Sequence, residues 1–114
     1  MTEPTIRQRV KSIQLEVREP DLLPTRASEL QNILSSLMGN VLDECREADL
    51  AYKRVLLTCM YANKAANRAR IEAETSGEFV RRQEAEHTRQ TCVEMIRSLR
   101  QYLRNASEEM RLTR

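Results

Sequence analysis

The sequence predicts an all-α fold: a long antiparallel helical hairpin, coiled-coil-like, with a short N-terminal helix. Two patterns and one composition carry this. Apolar residues recur three or four apart along an outgoing leg, Leu30, Leu34, Leu37, Val41, Cys45, Ala48, Tyr52, Val55, Cys59, Ala62, Ala66, Ala69 and Ala73. The same spacing returns in Cys92, Ile96, Leu99, Leu103, Ala106 and Met110. A stripe of this kind is the buried seam of one helix against another. Ala, Glu, Lys, Leu and Arg supply 56 of the 114 residues, the composition of long helices. Pro4, Pro20 and Pro24 are the only prolines, so nothing after residue 24 forbids helix except the surroundings of Gly39 and Gly77.

Residues 1–24 form the first segment. Ile6, Val10, Ile13 and Val17 line one face of an amphipathic helix over residues 5–18, with Arg7, Lys11 and Arg18 on another face. Pro20-Asp21-Leu22-Leu23-Pro24 ends it, because a residue before proline is pushed out of the α region and proline is tolerated only at a helix start. Leu22 and Leu23 are apolar linker residues that need something to pack on.

Residues 25–114 form the hairpin. Thr25 is placed to cap a second helix over residues 26–74, roughly 70 Å long at ~1.5 Å per residue. Successive steps of four at Leu37, Val41 and Cys45 insert a stutter around Gly39, where a bend or a change of packing partner is expected. Thr75-Ser76-Gly77-Glu78 reads either as a capping box starting the third helix at Thr75 or as a left-handed stop at Gly77. Both place the hairpin tip at residues 74–79. In that register Cys59 faces Cys92, Tyr52 faces Leu99 and Cys45 faces Ala106.

Several function classes are disfavoured. The N-terminus has no apolar signal core, and the longest nearly apolar run, residues 55–62, is far short of the ~18 residues a membrane span needs. A cytoplasmic protein with no membrane partner is expected. Three cysteines, Cys45, Cys59 and Cys92, fall on the seam and read as buried thiols in a reducing compartment. His87 is the only histidine, on a different face from Cys92, and neither a Gly-rich phosphate loop nor a His-Glu-x-x-His run occurs. The expectation is no enzyme, catalytic residue, metal, cofactor or small-molecule substrate.

Two surface patterns carry the functional reading. Arg82, Arg89, Arg97, Arg100, Arg104 and Arg111 fall within roughly an 80° sector of the returning helix, taking 100° per residue. Guanidinium groups in such a stripe either track the phosphates of single-stranded DNA or pair with carboxylates. In the register above the carboxylates are Asp43, Glu44, Glu47 and Asp49, facing Arg100, Arg104 and Arg111. Of the three tyrosines, Tyr52, Tyr61 and Tyr102, the first is a seam residue, which leaves few rings for stacking on bases. Apolar residues off the seam, among them Leu42, Leu56, Leu57, Met60 and Val93, need cover that a two-helix seam does not give, so a homo-oligomer using them as its interface is expected, the alternative being a three-helix monomer covered by the first helix.

The order is a short capped segment, then a long helix containing Ala51-Tyr52-Lys53-Arg54 and Lys64-Ala65-Ala66-Asn67-Arg68-Ala69-Arg70-Ile71-Glu72-Ala73-Glu74. A polar turn follows, then a helix ending Ile96-Arg97-Ser98-Leu99-Arg100. This resembles small phage-encoded helical hairpins and, loosely, the UvsY-type recombination mediator proteins, over residues 30–105. The resemblance implies a non-enzymatic, oligomeric protein that binds single-stranded DNA and assists phage-type recombination or replication, with a recombinase or single-strand-binding protein as partner. The alternative is a protein-interaction hairpin, a scaffold, adaptor or inhibitor whose arginines pair with its own acidic segment.

Overall fold

A computed structural model describes residues 3–63 and 65–112. Four helices follow in order: α1 (Ile6–Val17), α2 (Pro24–Ala62), α3 (Ala66–Glu74) and α4 (Gly77–Leu112). The all-α expectation is met. The long α2 and α4 pack antiparallel, since residue numbers fall along α2 as they rise along α4: Phe79 lies against Tyr52, Ala85 against Cys45 and Cys92 against Leu34.

The helix starts are set by local chemistry. Thr5 caps α1, its hydroxyl accepting from the Gln8 amide at 3.2 Å while the Gln8 side chain accepts from the Thr5 amide at 2.9 Å. α2 begins at Pro24, one residue before the expected Thr25 cap, because proline at the first helical position gives up an amide that would have no partner there. Gly39 lies inside an unbroken α2. The chain does divide there: the residues up to Asn40 form one compact unit with those from Gln90 onward, and Val41–Arg89 form a second.

In the first unit, Val10 and Ile13 of α1, Ala27, Leu30, Leu34 and Leu37 of α2, and Cys92, Met95 and Leu99 of α4 are buried. Arg26 ties the start of α2 to α1, donating from Nη2 to Glu16 Oε1 at 3.0 Å, and also reaches Glu29 at 2.8 Å. The Tyr102 hydroxyl donates to the Leu22 carbonyl. The interhelical linker is therefore held to α4, and a small cleft lined by Val17, Pro20, Leu22, Leu99 and Tyr102 lies beside this bond.

The second unit differs from expectation. The second helix stops at Ala62 instead of running on to residue 74. At that end the Asn63 side-chain amide donates to the Cys59 carbonyl at 2.9 Å and to Glu72 Oε2 at 2.6 Å, which ties the end of α2 to α3. α3 has nine residues, about 13.5 Å at ~1.5 Å each. That is close to the stretch of α2 between Ala62 and Tyr52, where Phe79 of α4 arrives. The chain thus reverses between α2 and α3, and residues 75–76 only interrupt the returning leg. There the cap is Ser76, one position after the expected Thr75: Ser76 Oγ accepts from the Phe79 amide at 3.3 Å. Thr75 Oγ1 instead donates to the Glu72 carbonyl at 2.7 Å, and Gly77 does not take a left-handed conformation.

Moving the turn moves the register. Tyr52 meets Phe79 in place of Leu99, Cys45 meets Ala85 in place of Ala106, and Cys92 meets Leu34 in place of Cys59. Small residues, Ala48, Ala69, Ala73 and Ala85, fill much of this second unit's interior around Tyr52 and Val41. Alanine allows close backbone approach but buries little area per residue, so the core of the unit is thin.

Candidate nucleic-acid interface

The arginine stripe on α4 divides into two parts. Arg82 Nε lies 3.0 Å from Asp49 Oδ1, and its guanidinium stacks 4.9 Å from the centre of the Tyr52 ring. Arg89 is paired with Glu86 one turn before it. Arg81, which lies outside the stripe read from the sequence, grips Glu44 through both Nε and Nη2, at 3.2 and 2.6 Å, and sits 3.7 Å from Glu47. The acidic segment of α2 is thus engaged by Arg81 and Arg82, not by Arg100, Arg104 and Arg111 as the expected register required.

These pairs polarise the groups concerned. Lys53 at 2.9 Å, with Arg82 adding to it, holds the Asp49 carboxyl below the usual carboxylate range. The hydrogen bond to Glu44 raises the Arg81 guanidinium further above its ordinary value, and Glu86 does the same for Arg89. Arg81, Arg82 and Arg89 are all occupied with neighbouring carboxylates.

Arg97, Arg100 and Arg104 are exposed and have no ion pair among the described residues. Arg111, near the end of α4, is also exposed. Steps of three and four put Arg97, Arg100 and Arg104 in one row on the helix, about two turns in length. Chemically this is a short track of forked donors open to solvent, suited to phosphate or carboxylate oxygens.

The expected apolar interface is part exposed and part covered. Leu42, Leu57 and Met60 are each about half exposed, at 50, 52 and 51 %, whereas Leu56 and Val93 are half-buried, each within its own unit. Of the tyrosines, Tyr52 is buried and Tyr102 is tied by its hydroxyl, while Tyr61 is 85 % exposed.

The thiols of Cys45, Cys59 and Cys92 are all free. Cys45 Sγ donates to the Ala85 carbonyl at 3.3 Å, and burial pushes both Cys45 and Cys92 above the ordinary thiol range. Among the described residues no group of three or more His, Cys, Asp or Glu is placed to hold a metal ion, and no helix is long and apolar enough to cross a membrane. No protein-family model, curated protein or solved structure matches this chain.

Proposed function

We propose that this protein is a non-enzymatic, self-associating helical protein that binds single-stranded DNA and assists recombination or replication of the phage type, beside a recombinase or a single-strand-binding protein. The observation that supports it is the state of Arg97, Arg100 and Arg104: three exposed guanidinium groups on one helix with no ion pair among the described residues, while the acidic segment is taken by Arg81 and Arg82. Aligned cations of this kind add nothing to stability, since even paired surface charges contribute little. Polyanion contact gives them a use. The half-exposed Leu42, Leu57 and Met60 support self-association.

The pairing of Arg82 with Asp49 and of Arg89 with Glu86 favours the other reading, an interaction scaffold that binds no nucleic acid. Fluorescence anisotropy of a labelled oligonucleotide at low salt separates the two. Binding that is lost when Arg97, Arg100 and Arg104 are replaced by Ala supports the first reading. No binding at about 50 mM salt, where phosphate contacts are strong, leaves the scaffold.

A further inference from the structure

We infer that the hairpin tip is a second contact for single-stranded nucleic acid, in which the Tyr61 ring stacks on an unpaired base and Arg68 takes a neighbouring phosphate. The inference rests on the nucleic-acid reading above and adds to it a site that grips the base as well as the backbone.

Three observations carry it. The first is charge. The 22 residues from 50 to 71 contain five cations, Lys53, Arg54, Lys64, Arg68 and Arg70, and no Asp or Glu, in a chain where 17 of 114 residues are acidic. The second is topology: the chain reverses between α2 and α3 inside this stretch, so Tyr61 of α2 and Arg68 of α3 both come close to the same turn of the chain. Tyr61 is within the last turn of α2 and Arg68 within the first turn of α3, each about one 5.4 Å turn from the reversal. The nearest carboxylate after them in sequence, Glu72, is held by the Asn63 side chain at 2.6 Å. Arg54, Arg68 and Arg70 are exposed and have no ion pair among the described residues.

The third is the ring itself. Tyr61 is 85 % exposed, without the contacts that hold Tyr52 against Phe79 or Tyr102 against the Leu22 carbonyl. A bare aromatic ring combined with cations is the pairing single-strand binders use: the ring takes any base by its face, and the cations take the backbone. Only an unpaired base presents that face, so such a site discriminates against duplex.

The sequence has no Trp, so Tyr61→Trp places a single fluorescent reporter at the tip. A single-stranded oligodeoxythymidine should quench it, and a duplex of equal length should not. Tyr61→Ala should weaken binding roughly 5- to 100-fold, the loss of one base–aromatic stack, with no change in salt dependence because the ring is neutral. Tyr61→Phe should bind as the parent does. Arg68→Gln should instead flatten the plot of log K against log salt by about 0.7. Tyr61 is exposed enough that circular dichroism should report an unchanged fold in each variant. If Tyr61→Ala binds at full strength and the Tyr61→Trp emission stays unquenched, while the Arg97, Arg100 and Arg104 variant is weakened, the tip site alone is overturned. A parent protein that binds no oligonucleotide overturns both readings. Emission from the Tyr61→Trp variant that shifts with protein concentration and ignores DNA assigns the tip to protein contact and likewise overturns the proposal.

Discussion

The Tyr52 and Phe79 rings lie 5.5 Å apart, tilted by 48°, and this contact fixes where the returning helix begins against the outgoing one. Arg82 stacks on the same Tyr52 ring. Tyr52 is only 7 % exposed in a unit otherwise filled largely by alanines, and it is the largest side chain buried there. Tyr52→Ala should cost about 3 kcal/mol, from lost transfer free energy, the cavity left among small neighbours and the lost ring contacts. Chemical denaturation of the variant checks this. A loss under about 1 kcal/mol, well below the range for a buried aromatic, would mean that the alanine layers, not the ring, set the register.

Gly39 offers the opposite result. It sits in the interior of α2 with a helical backbone, and a methyl group added there meets nothing within 4 Å. Gly39→Ala should therefore stabilise the chain by about 0.5–1 kcal/mol, because glycine in a helix gives up more backbone entropy than alanine. The melting temperature should rise by several degrees. A fall would show that a neighbour in an assembly packs against the bare backbone.

How much of this is legible in the sequence depends on which residues are asked. The seam positions Leu30, Leu34, Val41, Ala48 and Tyr52, and Cys92 and Leu99 on the return, are all buried as their spacing requires. The turn is not legible, because the helix ends at Ala62 without glycine or proline, and no local pattern announces the Asn63 side-chain bonds to Cys59 and Glu72 that tie α2 to α3 there. From that one displacement the rest follows. Tyr52 faces Phe79 instead of Leu99, and the acidic segment meets Arg81 and Arg82 instead of Arg100 and Arg104. The stripe of arginines is readable from helical spacing alone; which of them are paired needs the register.

Acid should loosen the first unit at the α1–α2 junction. The hydrogen bond from Arg26 holds the Glu16 carboxyl below the ordinary glutamate value of about 4.3. A depressed carboxylate contributes stability that is complete above the unfolded pKa and disappears as pH falls through the folded one. The contribution should thus be present at neutral pH and fade below pH about 4. A carboxyl-carbon NMR titration should give Glu16 a midpoint below that of exposed glutamates, and Arg26→Gln should return it to the ordinary range. An unshifted midpoint in the parent would mean that the pair does not persist in solution.

Salt dependence decides how many of the free arginines meet phosphate. If Arg97, Arg100 and Arg104 each neutralise one, log K should fall against log salt with a slope near −2, from about −0.7 for each phosphate on single strands. Between about 50 and 200 mM salt that is a loss of roughly 20-fold in affinity. Contacts from a second copy or from the tip steepen the slope, so about −2 is the shallowest value expected of the parent. Arg82→Ala should leave the slope unchanged, since its guanidinium already serves Asp49 and Tyr52, and should lower stability instead. Replacing Arg97 alone should reduce the slope by about 0.7 on every oligonucleotide tested, because phosphate contacts carry little sequence information. If the Arg97 variant keeps the full slope while Arg82→Ala flattens it, the phosphate track lies on the other half of α4 and the ion pairs there open on binding.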